Sequence, residues 1–367
     1  MKYLLHEIRH NPMLWLLLFV PVVFLAEAFK PGAYTMLFVL SVLAIVPLAA
    51  LLSHATESVA AKTGDAVGGL LNATLGNLTE LVIALTALRA GQYMLVKASI
   101  AGAIVTNILF MLGASFLLGG LKHHTQEFNK AGARFQAGLL FLATIALLVP
   151  SSVAKSDTLA ATWYTQKLSA GLAVLLIVTY GLGMLFSLKT HREFFGSAKH
   201  GDAGEEGEGP WPIGLAVATL AGVTVLVALV SEVFVSSVQK AAEAFGLTPA
   251  FVGFIVVALV GGAAEMGSAF SGARKDRLDL SVGIALGSAS QIALFVAPVL
   301  VLASYVIGPA PMDLQFWPGA IVMVLVATIT AAFVTTSGRS AWFVGVLLLM
   351  VYLIFAMSLY LLPPRAL

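Results

Sequence analysis

Long apolar runs dominate this chain and restrict its fold more than any other feature. A membrane-spanning helix needs about 20 mostly apolar residues. We count eleven candidate runs, which cover residues 12–29, 33–53, 66–88, 92–118, 134–150, 168–188, 211–238, 249–272, 278–307, 314–336 and 341–362. With 59% hydrophobic and only 10% charged residues, a soluble globule is excluded. The sequence therefore predicts an all-α integral membrane protein with about eleven transmembrane helices.

One membrane-buried carboxylate motif occurs twice. Residues 76–80 read Gly-Asn-Leu-Thr-Glu, and residues 261–265, at an offset of 185, read Gly-Gly-Ala-Ala-Glu. At offsets of 185 and 184, two further pairs match, Arg89 with Arg274 and Asn107 with Gln291. A carboxylate at bilayer depth is costly unless it faces partners or water, so such residues usually mark an ion path. Two of them in a duplicated frame favour a transporter with its site between repeats.

The repeat frame predicts the organisation of the chain. We expect an extra transmembrane helix at 1–30, a first five-helix repeat at 31–188, an acidic linker at 189–210 and a second five-helix repeat at 211–367. Because five is an odd number, the second repeat enters the membrane from the opposite face, and the repeats have inverted topology. The first run also resembles a signal peptide, but the ten runs after it favour an uncleaved helix.

Basic residues predict the orientation. With a cytoplasmic N-terminus, thirteen Lys and Arg residues lie on the cytoplasmic side and seven on the other side. The excess of cytoplasmic positive charge predicts a C-terminus on the opposite side. In a prokaryote, this would be a multi-pass protein of the plasma (inner) membrane.

The motifs and the spans after them supply oxygen ligands. A hard cation such as calcium takes about six to eight oxygens in flexible geometry. Small residues beside each glutamate let main-chain carbonyls approach, and helical spacing places Ala73, Asn77 and Glu80 on one face. The predicted cation-binding residues are Glu80, Glu265, Asn77, Ala73, Gly76, Gly261 and Gly262, with the two glutamates as metal ligands. The predicted supporting polar residues are Asn107, Ser99, Thr106, Ser288 and Gln291. Ordinary helix packing is the alternative for the glycines, and helix–helix hydrogen bonding is the alternative for the amides.

Two further acids lie near the end of the first helix of each repeat. Glu57 and Glu232 are interpreted as gating or proton-relay residues at the two mouths, with an aqueous interfacial position as the alternative. The remaining acids outside the linker are expected in solvated loops, among them Glu27, Asp65, Glu127, Asp157, Glu243, Asp276, Asp279 and Asp313. The acids of the linker itself indicate a flexible connection, or a weak cation-collecting strip.

Composition limits the other partners. A net charge of +2 gives no argument for nucleic acid, and the absence of cysteine excludes disulfides, iron–sulfur clusters and thiolate zinc sites. We expect no cofactor and no enzymatic activity. The expected partners are transported ions and the lipid bilayer, and a homo-oligomer is left open.

At these residues the sequence resembles the calcium/proton exchanger (CAX) family of cation antiporters. The resemblance covers nearly the whole length and is most specific at Gly-Gly-Leu-Leu-Asn-Ala-Thr of residues 68–74, which leads into the first motif. It includes residues 126–129 and the stretch from Gly283 to Pro298. The family fold implies an extra first helix, two inverted five-helix repeats, an acidic segment between them, and a central cation site formed by Glu80 and Glu265.

The second motif departs from that family. Relatives commonly read Gly-Asn-Ala-Ala-Glu-His, whereas this chain has Gly262 in place of the asparagine and Met266 in place of the histidine. The chain thereby lacks an amide oxygen and an imidazole, a group that titrates near neutral pH. These changes affect the expected ion selectivity and proton coupling.

The resemblance implies an antiporter that exports calcium, or a related divalent cation, in exchange for protons. A sodium/calcium exchanger shares the architecture, but more Ser and Thr hydroxyls would be expected around both glutamates. A cation channel is a further alternative. An intramembrane hydrolase is weaker, because neither His-Glu-x-x-His nor Gly-x-Ser-x-Gly occurs.

Overall fold

The computed structural model describes residues 7–9, 11–63, 68, 71, 74–152, 159–191 and 211–362. Nearly all of their regular structure is helical. In chain order the helices are α1 (Pro12–Phe29), α2 (Tyr34–Lys62), α3 (Leu78–Arg89), α4 (Tyr93–His123), α5 (Lys130–Ser152), α6 (Leu159–Leu185, extended by the π-helical turn Phe186–Thr190), α7 (Ile213–Ala244), α8 (Pro249–Gly261), α9 (Ala263–Arg274), α10 (Leu278–Ser304), α11 (Pro318–Val334) and α12 (Trp342–Tyr360).

The described helices confirm an α-helical membrane protein, but they do not confirm the count of eleven spans. Eight are long and apolar enough to cross a membrane, and a ninth span results if α8 and α9 count as one bent helix. α11 has only 17 residues, and the third predicted run, 66–88, lies partly outside the described residues. Part of the difference between eleven predicted and eight observed spans has a physical cause in the second motif. There the chain bends and leaves two helices that are each shorter than about 20 residues.

Local sequence explains where helices begin. Asn11 precedes α1, and its side chain accepts a hydrogen bond from the amide of Met13 at 3.1 Å. Thr248 does the same for α8, accepting from the amide of Phe251 at 3.1 Å. Proline follows each of these caps, at the first helical position, where its missing N–H has no intrahelical partner to lose.

The helices α4 and α10 form the centre of the bundle. In the most apolar window of each, 83% and 78% of residues are buried, against 17% in α1 and in α6, whose apolar side chains face outward. Small residues let the central helices approach closely. A Cβ atom on Gly102 of α4 would collide with the main chain of Phe254 in α8, and one on Gly345 of α12 with the main chain of Gly113. Such contacts are typical of helix packing in membranes.

The two ends of α4 define two faces of the molecule, the Tyr93 face and the His123 face. At the Tyr93 face, the loop 305–317 lies against the start of α4. The Tyr93 hydroxyl donates to the carbonyl of Ala310 at 2.6 Å and accepts from its amide at 2.8 Å. Lys97 forms an ion pair with Asp313, with 2.5 Å between Nζ and Oδ1. These contacts hold the loop closed over this end of the bundle.

A short two-stranded antiparallel ribbon lies at the His123 face. Strand β1 (Thr125–Glu127) pairs with β2 (Arg339–Ala341), and the ion pair between Glu127 and Arg339 is 2.9 Å long. The ribbon joins the loop after α4 to the loop before α12. The sequence did not predict this ribbon, because three-residue strands are too short to produce a periodic pattern.

Candidate cation site

Both motif glutamates follow a break between helices. α8 and α9 are bent by 59° at Gly262, and in the first motif Gly76 and Asn77 form a turn directly before α3. Asn77 and Gly262 therefore precede the first turns that carry Glu80 and Glu265. A helix N-terminus carries partial positive charge, so each break places that charge beside a carboxylate. Discontinuous helices of this kind often form ion sites in transporters.

One oxygen of each glutamate lacks a partner. Oε2 of Glu80 and Oε2 of Glu265 are both buried, and neither accepts a hydrogen bond from a described residue. An unpartnered buried carboxylate oxygen is costly unless it binds a proton or a cation. Glu80 lies close enough to Glu265 for their negative charges to repel each other when both are ionised.

Gly261 gives Glu80 room at the end of α8. A Cβ atom at position 261 would lie 3.0 Å from Cγ and 3.2 Å from Oε1 of Glu80. Both distances are shorter than ordinary van der Waals contact, so a larger residue would displace the carboxylate. This close approach brings the motif of one half against the glutamate of the other.

A chain of hydrogen bonds joins the two halves beside the glutamates. The amide of Asn107 donates to Oγ of Ser288 at 2.9 Å, and Ser288 donates to Oδ1 of Asn77 at 2.8 Å. Nδ2 of Asn77 then donates to Oε1 of Gln291 at 2.6 Å. Ser288 also lies within hydrogen-bonding reach of Glu265. These four residues, predicted separately as ligands or supports, thus form one polar network.

The network lies where α4 and α10 depart from α-helical geometry. The segment Thr106–Met111 of α4, which contains Asn107, is π-helical, and so is Ile292–Val296 of α10, which begins directly after Gln291. π-helical turns widen a helix and frequently occur at functional sites. The sequence offset of 184 matched these two positions, although nothing in the sequence indicated the π-helical turns.

Gly262 breaks the symmetry between the halves. In the repeat frame, Gly262 corresponds to Asn77. Gly262 lies beside Asn107, whereas Asn77 lies beside Gln291. A Cβ atom at 262 would lie 3.4 Å from Cε of Met266 and 3.6 Å from Oδ1 of Asn107. The methionine thioether therefore lies in the space beside the missing amide. One half presents an asparagine and the other presents a methyl group.

A cavity of about 330 Å³ connects Glu265 to the His123 face. It is lined by Ser53, Glu57, Gly76, Glu265, Ser268, Asp279, Leu280, Gly283, Ile284, Gly287, Ser288 and Gln291. Glu57 is exposed there, and its Oε1 accepts a hydrogen bond from Ser53 at 3.3 Å. Asp279 accepts from the main-chain amide of Asn129. The cavity therefore has acidic groups both at its mouth and at its inner end.

Glu80 lies beside a much smaller space. It borders a cavity of only about 20 Å³ together with Ala84, Ser99, Ile100, Ala103, Val257, Ala258, Ile292 and Val296. Ser99 lies in this lining, but its hydroxyl donates to the carbonyl of Val96 at 2.9 Å. The hydroxyl of Thr106 is directed to Tyr352 of α12, at 3.3 Å. Ser99 is thus beside the site, and Thr106 contacts α12 rather than the network.

The remaining predicted residues are found in different surroundings. Ala73 lies outside the described residues, and Gly76 lines the open cavity. Glu232 lies at the Tyr93 face, 61% exposed, with 3.7 Å between its Oε1 and Nη1 of Arg89. Asp279, expected in a solvated loop, is a cavity residue that sequence reasoning missed. Its position after a polar loop gave no indication that the fold turns it toward Glu265.

The oxygen donors suit a hard cation. Among the described residues, no group of three or more His, Cys, Asp or Glu side chains could hold a metal ion. A cation between Glu80 and Glu265 would instead take carboxylate oxygens from both, neutral side-chain oxygens from the network, and main-chain carbonyls freed at the helix breaks. Here the cation would be transported cargo rather than a resident cofactor.

Comparisons with known proteins agree with this geometry. The sodium/calcium exchanger protein family matches residues 33–189 and 215–361. The chain is 40% identical over 360 residues to a Ca²⁺/H⁺ antiporter of Aphanothece halophytica, covering 95% of this chain and 96% of that protein. It is 41% identical over 361 residues to a Ca²⁺/H⁺ antiporter of Synechocystis sp., with the same coverage of each. The crystal structure of the Ca²⁺/H⁺ antiporter protein YfkE matches with a TM-score of 0.81 at 34% identity, covering 96% of this chain and 100% of that one. The chain therefore belongs to the sodium/calcium exchanger protein family.

Proposed function

We propose that this protein is a secondary active transporter that exchanges Ca²⁺, or a related divalent cation, for H⁺. The observation that carries the proposal is the pair of buried carboxylates, each with one unpartnered oxygen, at two equivalent helix breaks. The names of its relatives, Ca²⁺/H⁺ antiporters with about 40% identity, support the same ion pair.

Competition for the same oxygens is sufficient for exchange. Glu80 and Glu265 bind the cation when both are ionised, and they carry protons when the cation has left. Burial makes the doubly ionised, empty pair unfavourable, because two close negative charges in a low-dielectric interior repel each other. The empty, doubly ionised site is therefore disfavoured from changing the side of the membrane to which it is open. Movement of cations thereby becomes coupled to movement of protons.

The surrounding residues support this cycle. Asn77, Gly76, Gly261 and Gly262 bring oxygen donors and main chain to the glutamates. Ser288 and Gln291 form hydrogen bonds with the side-chain amide of Asn77, and Asn107 forms one with Ser288. Ser99 lies beside Glu80. Glu57, with Asp279, attracts cations to the open mouth, whereas Glu232 serves the Tyr93 face.

The open cavity gives the direction of access. The excess of basic residues assigns the His123 face to the cytoplasm, so this conformation would load cytoplasmic Ca²⁺ for export. Inversion of two five-helix repeats would then supply the outward-open state, with the first two helices of each repeat moving against the rest. The membrane would be the plasma membrane of a prokaryotic cell, and the protein could assemble as a homo-oligomer.

The test is transport by purified protein in vesicles. Ca²⁺ uptake into proteoliposomes should be driven by an imposed pH gradient and should collapse when a protonophore, with the membrane potential clamped, dissipates that gradient. Parallel assays with Mn²⁺, Mg²⁺ and Na⁺ establish the ion preference. Uptake driven by a Na⁺ gradient at constant pH would favour a sodium/calcium exchanger, and flux without any counter-ion gradient would favour a channel; either result would replace the proposal.

A further inference from the structure

A second cavity lies between α5, α6 and α10, close to the His123 face. Its volume is about 180 Å³, and it is lined by Phe135, Gln136, Leu139, Tyr180, Gly183, Met184, Ser187, Leu188, Gly287, Ser290 and Gln291. Nothing in the exchange mechanism uses it. It shares the lining residues Gly287 and Gln291 with the cavity of about 330 Å³ that contains Glu265, here called the transport cavity.

The wall of this cavity is suited to an apolar chain. The rings of Phe135 and Phe186 stack with centroids 5.4 Å apart, and Tyr180 packs against Phe295 at the same distance. The two serine hydroxyls of the wall are already hydrogen-bonded to main-chain carbonyls, Ser290 to Leu286 at 2.8 Å and Ser187 to Met184 at 3.3 Å. The outer surfaces of α5 and α6 beside it expose large apolar side chains, which in a membrane protein contact lipid.

Two basic residues are sequence neighbours of residues that line the same cavity. Arg134 directly precedes the lining residue Phe135, and Lys189 directly follows Leu188; both are exposed. Neither forms an ion pair with any residue in the described part of the chain. Residues 130–152 and 159–191 contain no acidic side chain, so neither helix balances this charge. Basic pockets between transmembrane helices are typical sites for anionic lipid headgroups.

We propose that an anionic phospholipid binds at this site. Its phosphate lies against Arg134 and Lys189, and one acyl chain enters the cavity between α5 and α6 as far as Gly287 and Gln291. The acyl chain then lies between the bilayer and the transport cavity, at the residues that the two cavities share. The lipid is a structural partner of the exchanger and is not transported.

Lipid binding tests this proposal independently of transport. Native mass spectrometry and thermal shift of the intact protein in detergent would be recorded with added phosphatidylglycerol or phosphatidylcholine. Phosphatidylglycerol should bind more tightly and raise the melting temperature more. The double variant Arg134→Gln/Lys189→Gln should weaken its binding by about 25-fold, since each interfacial cation contributes about 1 kcal/mol. The double variant Lys30→Gln/Lys167→Gln, which removes two exposed cations at the Tyr93 face, should leave binding unchanged.

A matched pair of glycine variants tests whether the acyl chain occupies the cavity between α5 and α6. A Cβ atom on Gly183 would lie 3.5 Å from Leu139 and 3.6 Å from Phe135, so Gly183→Leu can extend into the cavity. Gly181, on the same helix, has no atom within 4 Å of its Cβ position, so Gly181→Leu projects into the surroundings. Gly183→Leu should abolish the phosphatidylglycerol preference and Gly181→Leu should retain it.

Three results would overturn the proposal. Equal binding of the two lipids would show a pocket without headgroup selectivity. An equal preference for phosphatidylglycerol in the two glycine variants would show that the acyl chain binds elsewhere. A change in oligomeric mass with Arg134→Gln/Lys189→Gln, without loss of lipid, would identify this surface as a contact between copies of the chain. Because none of these measurements records ion flux, they remain informative even if the proposed exchange activity is wrong.

Discussion

At the scale of single residues, the proposed function depends on Glu80 and Glu265, each of which has one buried oxygen without a hydrogen-bond partner in the described part of the chain. Glutamine has nearly the same volume but cannot ionise. We expect Glu80→Gln and Glu265→Gln each to reduce proton-coupled Ca²⁺ uptake by at least about 100-fold, the equivalent of about 3 kcal/mol. The melting temperature should stay within a few degrees of the wild type or rise slightly, because a buried charge is removed. Uptake in proteoliposomes and thermal unfolding check both statements.

Glu243→Gln is the matched control, because Glu243 is an exposed acid near the end of α7. It should transport normally. Near-normal uptake by either Glu80→Gln or Glu265→Gln would remove that residue from the central site.

The two residues that depart from the resembled family are a second case at this scale. At Gly262 the nearest atoms to an added Cβ lie at ordinary contact distance, 3.4 Å or more, so Gly262→Asn fits without displacing main chain. Its amide would lie beside Asn107, as Asn77 lies beside Gln291. We expect the double variant Gly262→Asn/Met266→His to raise Ca²⁺ affinity or shift the pH profile of exchange, because it adds an oxygen donor and a group that titrates between about pH 5 and 8.

Thermal stability and exchange across pH would be measured for both single variants and the double. The Asn variant alone must move the methyl group of Met266, which lies 3.4 Å from the Cβ position. We therefore expect it to be less stable than the double variant. A folded double variant with unchanged affinity and pH profile would show that these positions do not control selectivity or coupling.

At the scale of helices, the break before α9 depends on glycine for close packing rather than for an unusual backbone angle. Gly261→Ala should push its methyl group into Glu80, at 3.0 Å from Cγ. We expect a loss of stability of about 1–3 kcal/mol, typical of overpacking, together with a weaker apparent affinity for Ca²⁺. Gly267→Ala on α9 is the control, since no atom lies within 4 Å of that Cβ position. It should be neutral or stabilise by about 0.5–1 kcal/mol.

The helix breaks also show what sequence reasoning could predict. The repeat offset identified Glu80, Glu265, Asn107 and Gln291 because both copies retain polar residues at the same positions. It gave no information on contacts between elements far apart in the chain, and so Asp279 was assigned to a solvated loop. Glu57 and Glu232 looked equivalent in sequence. The structure places Glu57 at the open cavity and Glu232 in an exposed ion pair with Arg89 at the Tyr93 face.

At the scale of the whole molecule, the predicted orientation can be tested directly, because the chain contains no cysteine and any introduced thiol is unique. Val306, 88% exposed in the loop 305–317, lies at the Tyr93 face, and exposed Ser337 lies at the His123 face, next to the ribbon. In intact cells a membrane-impermeant maleimide should label Val306→Cys at once. It should label Ser337→Cys only after permeabilisation, because that face is assigned to the cytoplasm. The reverse pattern would contradict the assigned orientation.

The small ribbon at the His123 face also limits which helices can move independently of each other. Its main-chain pairing joins the loop after α4 to the loop before α12, so we expect those two helices to move together. If the first two helices of each repeat are the moving parts, the amides of β1 and β2 exchange with deuterium equally slowly in Ca²⁺-loaded and proton-loaded protein. In that case the proton gradient drives the movement of four helices, and the rest of the bundle, including α4 and α12, keeps its shape.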